Sequence, residues 1–444
     1  MDMLVEARTL SGFKDKLPQE ALAKSELLKK IVSVFESFGF VPIETPHLEY
    51  ADVLVKQGSE EIQKELYRFR DHGERDVALR FDLTVPLARF VSQHRAKLSF
   101  PFKRYAIGNV FRGERAQRGR YREFTQCDFD FIGSKSIASD SEIIQIIAKI
   151  MQKLEVGAFT ISINHRGILN GICEYMGIES INEALRIIDK LDKIGRDGVM
   201  EELQTSLNLA PAVISEFLEL VSIAQDGEFD EFFQSISKLK AYNSTLCKAI
   251  AELEELALIL KALDLPRGAC KIRFCIARGL GYYTGIIYET TLDALPKLGS
   301  VCSGGRYDKL TQTFSKEAMS GVGASVGLDR LLAGLEELGK IESRKTKARI
   351  LCIAMNLEQM PFVQRIAQDL RDRGLACEVY PDYLKLGKIF SYADSKGFEY
   401  VGVVGEDEVR NQQISLKNMK SGEQKLLTLE EILQMCKERE CKIS

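Results

Sequence analysis

Two stretches of polar–apolar alternation, separated by a loop of arginine and glycine, limit what this chain can fold into. From Arg104 to Arg112, Tyr105, Ile107 and Phe111 fall on one side, and Arg104 and Arg112 on the other. From Thr125 to Phe131, Thr125, Cys127, Phe129 and Phe131 point one way, and Gln126, Asp128 and Asp130 the other. A period of two on both sides of a short loop predicts an antiparallel hairpin. Between Lys103 and Arg122 seven residues are basic and one, Glu114, is acidic. The polar face therefore carries guanidinium groups near the loop and carboxylates farther back. That arrangement suits a substrate with a phosphate at one end and an amine at the other. The same residues also fit a solvated loop, or a basic loop that grips nucleic acid without doing chemistry.

The rest of the chain narrows the choice. At 444 residues it has room for about three domains. The formal charge of −3 gives no global attraction to nucleic acid, so a polyanion site has to be a local patch. With 45% hydrophobic and 28% charged residues the composition is that of an ordinary globular protein. No apolar run approaches a membrane span, and Met1–Thr9 lacks the basic and apolar regions of a signal peptide. The ten cysteines form no CxxC pair, and His47, His72, His94 and His165 have no ligand spacing. Buried reduced thiols in a cytoplasm are expected, rather than a metal site or a disulfide framework.

In chain order, GFKDKLP (Gly12–Pro18) reads as a turn before a helix marked by Leu27, Leu28, Ile31, Phe35 and Phe38 and ended by Gly39. FVPIETPHLEY is extended, and its prolines place it at an edge or an interface. ALRFDLTVPLARF runs from a strand through a turn into a helix beginning near Pro86. Asp82 and Thr84, two apart, share a side there and could bind an ammonium group, unless Asp82 serves only to cap that helix. Asp140–Leu154 is an amphipathic helix and Phe159–Ile163 a strand. Helical periodicity then dominates from Gly167 to Leu265, a helical insertion with no chemistry of its own.

Strands resume at Lys271. Arg278 is alone in an apolar run beside Gly279, Gly281, Tyr282 and Tyr283. A buried arginine needs an anion, which a structural carboxylate or a substrate could supply. SGGRYDKL reads as a glycine-rich turn carrying Arg306, and GVGASVGLDRLLAGLEEL as a strand entering a helix with Arg330 in its first turn. That segment is not a dinucleotide fingerprint, since Val326 occupies the third glycine position. After the polar linker ESRKTK, a β-α-β-α-β pattern describes a compact α/β domain.

Taken together, the Pro-containing extended segment, FRGER…GRYREF and the Gly-rich strand entering GLDRL resemble the three signature motifs of class II aminoacyl-tRNA synthetases. RFDLTVPLARF, ARGLGYYTGIIYE and SGGRYD are similar to the histidyl-tRNA synthetases within that class, as are LKLGKIFSYADSKG and GVVGEDEV in the anticodon-binding domain. The resemblance runs from about Leu10 to Leu427. It implies an α+β catalytic domain on a mainly antiparallel sheet with flanking helices, at residues 1–166 and 266–341. A helical insertion at 167–265 and an α/β anticodon-binding domain at 348–444 would complete the chain.

The resemblance also implies roles. Arg112 would hold the α-phosphate of ATP, and Glu114 and Arg120 its base and outer phosphates. Phe124 and Arg330 would sandwich adenine. Asp82, Thr84 and Gln126 would take the α-amino group of histidine, and Asp130 and Tyr283, with Tyr282 beside them, its imidazole. Arg278 would be catalytic with Arg112, lying between the amino-acid carboxylate and the α-phosphate, and Mg²⁺ would accompany ATP. Pro46 matches the dimer-interface proline, so histidine, ATP, tRNA and a second copy of the chain are the expected partners. Two positions depart from the family: Gly281 stands where Asp is usual, removing a carboxylate beside Arg278, and Ala116 where Pro is common. A regulatory subunit of ATP phosphoribosyltransferase with the same fold would lack the C-terminal domain. An inactive RNA-binding relative would have lost several of Arg112, Glu114, Arg278 and Arg330, all of which are present.

Overall fold

The computed structural model describes residues 5–55, 60–115, 119–225, 227–277, 283–341 and 345–440. Arg278, Gly281, Tyr282 and Ala116 lie outside the described residues. The chain divides into two compact units, Met1–Asp15 with Leu27–Lys340 and Lys16–Glu26 with Ile341–Ser444.

In the first unit the strands are β1 (Val41–Pro42), β2 (Leu48–Tyr50), β3 (Arg68–Arg70), β4 (Asp76–Leu79), β5 (Phe102–Phe111) and β6 (Glu123–Ile132). They continue with β7 (Phe159–His165), β8 (Cys270–Ile272), β9 (Ile286–Leu292), β10 (Cys302–Tyr307) and β11 (Gly321–Gly327). An 8-stranded sheet runs in the order β1-β5-β6-β11-β10-β9-β7-β8, and β2-β4-β3 form a small separate sheet. Only the two outermost pairs, β1 with β5 and β7 with β8, are parallel.

The alternating stretches Arg104–Arg112 and Thr125–Phe131 become the β5–β6 hairpin, paired from Phe102↔Ile132 to Phe111↔Glu123. Its apolar face is buried under the helix Pro18–Ser37. The Phe35 ring lies 4.9 Å from Phe129 and 5.3 Å from Tyr105, centroid to centroid. Each such ring contributes roughly 1.5–3 kcal/mol by leaving water. The helix therefore anchors one face of the hairpin and leaves the polar face for the site. Pro42 sits in β1 at the sheet edge, where a missing N–H costs no ladder bond.

Two segments differ from expectation. SGGRYDKL is not a turn; Cys302–Tyr307 is the central strand β10 between β11 and β9. Its glycines answer to packing rather than turning, since a Cβ on Gly304 would come within 2.1 Å of the Gly323 carbonyl oxygen. Arg306 on that strand is a structural tie. It pairs with Asp140 of the helix Ile137–Lys153 and donates to the carbonyls of Ser134 and Ser136 and to the hydroxyls of Ser139 and Ser320. The helix expected near Pro86 begins two residues earlier, spanning Thr84–His94.

Between β7 and β8 the chain is helical, from Arg166–Tyr175 to Ser244–Lys261. The second unit holds β12 (Ile350–Ala354), β13 (Cys377–Val379), β14 (Tyr400–Val404), β15 (Ile414–Asn418) and β16 (Gln424–Leu427), in the order β13-β12-β14-β15-β16. The first three are parallel, as the β-α-β-α-β pattern requires, and the last two add an antiparallel edge that their short polar sequences did not announce. Apolar clusters cover both faces, around Ile350, Phe362 and Leu370 on one and Leu351, Ile389 and Phe398 on the other. Among the described residues no helix is long and apolar enough to cross a membrane.

Candidate active site

The polar face of β6, with the facing ends of β9, β10 and β11 and the starts of two helices, lines one cleft in the first unit. Its two adjoining lobes have cavity volumes of about 150 and 270 Å³ and share Arg112, Glu114, Arg120, Gln126 and Arg330. Phe124 lines the first lobe, and Asp82, Thr84, Asp130 and Tyr283 the second. Every described residue singled out from the sequence as a ligand of ATP or histidine therefore reaches this cleft. Arg278 and Tyr282 are outside the described residues.

The cationic end is built at the mouth of the hairpin. Arg112 Nε donates to the Phe81 carbonyl at 3.0 Å, and its guanidinium lies 5.1 Å from the Phe124 ring centroid. Arg120 Nη1 stands 3.7 Å from Glu114 Oε2. Arg330, in the first turn of the helix Leu328–Glu337, donates from Nη1 to the Ser300 carbonyl at 2.7 Å. That tether holds a cation where the helix dipole disfavours one. The preceding Asp329 accepts from the Thr125 backbone N–H at 2.6 Å and so locks this helix to β6. An aromatic face and three guanidinium groups thus surround a space suited to a nucleotide triphosphate.

The acidic end lies deeper. Asp82 Oδ1 accepts from the Val85 backbone N–H at 3.1 Å, so it does steady the start of Thr84–His94. Asp130 accepts from the Tyr307 hydroxyl at 2.5 Å and lies 2.6 Å from Arg104 Nη2. Gly323 leaves room for it, because a Cβ there would meet Asp130 Oδ1 at 2.1 Å. Arg104 is fully buried, as the charge-balancing partner of this acidic floor rather than a loop cation. Arg80, also buried, donates to the carbonyls of Asn109 and Thr45 and braces the hairpin from behind.

Burial governs the carboxyl groups here. It pushes Asp82 up to about 6, against the pull of the Val85 N–H, Arg112 and Arg104. It pushes Asp128 up to about 7, against Arg104 and with help from the Asp130 charge, and it raises Asp130 as well. The folded protein thus keeps protons that the unfolded chain releases, so these groups erode stability as pH rises from about 4 to about 7. For Asp128, a rise from 3.8 to about 7 corresponds to a few kcal/mol at full ionisation. Asp128→Asn removes that dependence. In thermal melts without ligand, the variant should gain on the parent across that window and hold a constant lead above it. Parallel curves would show that the carboxyl titrates normally.

Sequence reasoning placed Asp128 on the polar face of the hairpin but gave it no role, because alternation reports side and not depth. Glu289, Ser303 and Ser325, which reach the same cleft, carried no signal of their own. Arg80 and Arg104 could have been flagged, as Arg278 was, as single cations beside apolar strand residues.

A family model described as histidyl-tRNA synthetase matches residues 12–331, and one described as anticodon binding domain matches residues 347–439. A histidine–tRNA ligase of Helicobacter hepaticus is 61% identical over 424 residues, covering 95% of this chain and 96% of that one. One of Wolinella succinogenes is 60% identical over 423 residues, with the same coverage of 95% and 96%. The crystal structure of histidyl-tRNA synthetase from Nostoc sp. superposes with a TM-score of 0.87 at 36% identity, covering 97% of this chain and 100% of that one. A Bacillus halodurans structure titled as an ATP phosphoribosyltransferase regulatory subunit/histidyl-tRNA synthetase shares the fold, at 23% identity and a TM-score of 0.73 over 90% of this chain and 99% of that one.

Proposed function

The chain belongs to the histidyl-tRNA synthetase family, and from that premise we propose how its cleft divides the work of charging tRNA. The enzyme is an aminoacyl-tRNA ligase that converts ATP, histidine and tRNA to histidyl-tRNA, AMP and diphosphate. In the first step a histidine carboxylate oxygen bonds to the α-phosphorus of ATP, and the bond to the β-phosphate oxygen breaks to release diphosphate. In the second step a ribose hydroxyl at the tRNA terminus attacks the activated carbonyl, and AMP leaves.

Two anions must meet in the first step, and cations fixed in advance reduce that barrier most. Arg112 takes the α-phosphate, Arg120 and Glu114 orient the outer phosphates and the base, and Phe124 and Arg330 enclose adenine. Arg278 is assigned the second catalytic charge, neutralising the histidine carboxylate and the α-phosphate. Asp82, Thr84 and Gln126 receive the α-amino group. Asp130 and Tyr283, with Tyr282, read the imidazole, whose neutral form has one donor and one acceptor nitrogen. Side chains lacking those nitrogens leave these groups unpaired and are rejected.

A Mg²⁺ arriving with ATP would be carried largely by phosphates and steadied by one or two carboxylates. Glu114 and Glu289 are the cleft carboxylates that would hold it, and it would supply neutralisation of phosphate charge. The apolar side chains of Val41, Leu48 and Tyr50, exposed on the strands that flank Pro46 in the chain, support a homodimer contact there. The free state of the described cysteines supports a reducing, cytoplasmic setting. The division into catalytic parts at 1–166 and 266–341, an insertion at 167–265 and a tRNA-reading part at 348–444 follows from the same reading.

What carries this reading is one cleft with guanidinium and aromatic groups at one end and buried carboxylates at the other. Pyrophosphate exchange into ATP, with each amino acid supplied singly, tests it. Exchange is expected with histidine alone, and silence with histidine and Mg²⁺ would overturn the assignment.

A further inference from the structure

Four buried acceptor atoms on the cleft wall have no hydrogen-bond partner among the described residues: Asp130 Oδ2, which stands 2.6 Å from Arg104 Nη2, and Asp82 Oδ2, Gln126 Oε1 and Asp128 Oδ1. Each such atom costs free energy unless a donor reaches it. A chain of bonds sets their direction. Ser325 stands opposite Asp128 in the β6–β11 register, and its hydroxyl bonds to the Asp128 carboxylate. Having spent its only proton, the Ser325 oxygen accepts from Gln126 Nε2 at 2.8 Å. The Gln126 amide is therefore fixed with its nitrogen toward Ser325 and its Oε1 turned elsewhere. On the other side of Asp128 the in-register residue of β5 is Ala106, whose methyl group offers no donor.

The charge count agrees. Asp128 feels the charges of both Asp82 and Asp130, and buried Arg104 offsets all three, with Arg112 acting on Asp82 and Arg80 on Asp82 and Asp128. The cations of the floor leave these three acceptors unbonded: Arg104 lies against Asp130 Oδ2, and none of its nitrogens forms a hydrogen bond with Asp82 Oδ2, Gln126 Oε1 or Asp128 Oδ1. An alkylammonium group carries one charge and three donors, enough to reach Asp82 Oδ2, Gln126 Oε1 and Asp128 Oδ1 together.

We propose that Asp128 is a histidine-binding residue, and that its Oδ1 completes with Asp82 Oδ2 and Gln126 Oε1 a three-acceptor seat for the substrate's α-ammonium group. The inference rests on the reading of the acidic end as the histidine site and adds to it a third carboxylate. Through Ser325 the same carboxylate also orients Gln126, so one residue contacts the ligand and aims another contact. An amino-acid analogue without the ammonium leaves all three acceptors unpaired, so the seat is a source of specificity as well as affinity.

The test compares two ligands by calorimetry on the full-length protein. Histidinol keeps the ammonium and imidazole without the carboxylate, and 3-(imidazol-4-yl)propanoate keeps the imidazole and carboxylate without the ammonium. Asp128→Asn should weaken histidinol about 10- to 100-fold, the range for a hydrogen bond to a charged group. It should leave propanoate binding no weaker, and raise KM for histidine with KM for ATP unchanged. Asp82→Asn serves as the comparison. If it weakens histidinol while Asp128→Asn changes it less than about threefold, the third carboxylate is not part of the seat and the inference falls alone. Equal weakening of both ligands by Asp128→Asn would mark a general disturbance and also overturn it. If the parent protein bound no histidinol at all, the reading of the whole acidic end would fail.

Discussion

Replacing Arg112 with alanine should lower histidine-dependent pyrophosphate exchange by about 10³-fold, within the range for removing a preorganised cation from a phosphoryl-transfer site. The melting midpoint should move little, because the side chain is only partly buried and makes one structural bond, from Nε to the Phe81 carbonyl. That bond and the Phe124 ring hold the guanidinium plane in place before any substrate arrives. Arg112→Lys should recover little of the loss. A lysine ammonium is a point charge on a flexible stem and cannot keep the Phe81 contact while offering two parallel donors. The effect should appear in kcat more than in KM for histidine, since the acidic end is untouched. An exchange rate within tenfold of the parent would remove Arg112 from the chemistry.

Arg104→Met should be strongly destabilising. The guanidinium is fully buried, with Asp130 Oδ2 at 2.6 Å and Asp82 and Asp128 close enough to feel its charge. Breaking a buried pair from one side leaves carboxylates without compensation, at a cost of about 3–5 kcal/mol. Denaturant unfolding near pH 8, where the carboxyls are ionised, should show the full loss, and less of it should appear near pH 5. Adding Asp130→Asn to Arg104→Met should restore part of the stability by removing one of the stranded charges. A single variant that unfolds with the parent's midpoint would show that Arg104 does not hold the floor together.

These two arginines show how far the sequence could be read. Both lie on the polar side of the same alternating strand, and the period of two assigned that side correctly for each. It could not show that Arg112 stands at the mouth of the cleft while Arg104 lies eight residues deeper, sealed against Asp130. Alternation is a property of the strand alone, whereas depth depends on what covers it. The same reason accounts for Asp128. For SGGRYDKL the error has a different origin. Glycines usually signal turns, but here their lack of a Cβ lets β10 pack closely between its neighbours, a requirement set by strands distant in sequence.

What the sequence determined by itself was local or carried by motif order. It specified the hairpin, the helices with a 3.6-residue period, the parallel core of the C-terminal unit, and the family to which FRGER, ARGLGYY and GLDRL belong. The tertiary structure alone decided which charges are buried, which carboxylate faces which cation, and which acceptors are left for a substrate. Hydrogen bonding and desolvation act between atoms brought together from remote parts of the chain, here β6, β11 and the start of the helix Thr84–His94. Ser325 and Gln126 are 199 positions apart, and only their meeting turns an amide oxygen away from Ser325 and leaves it for the ligand.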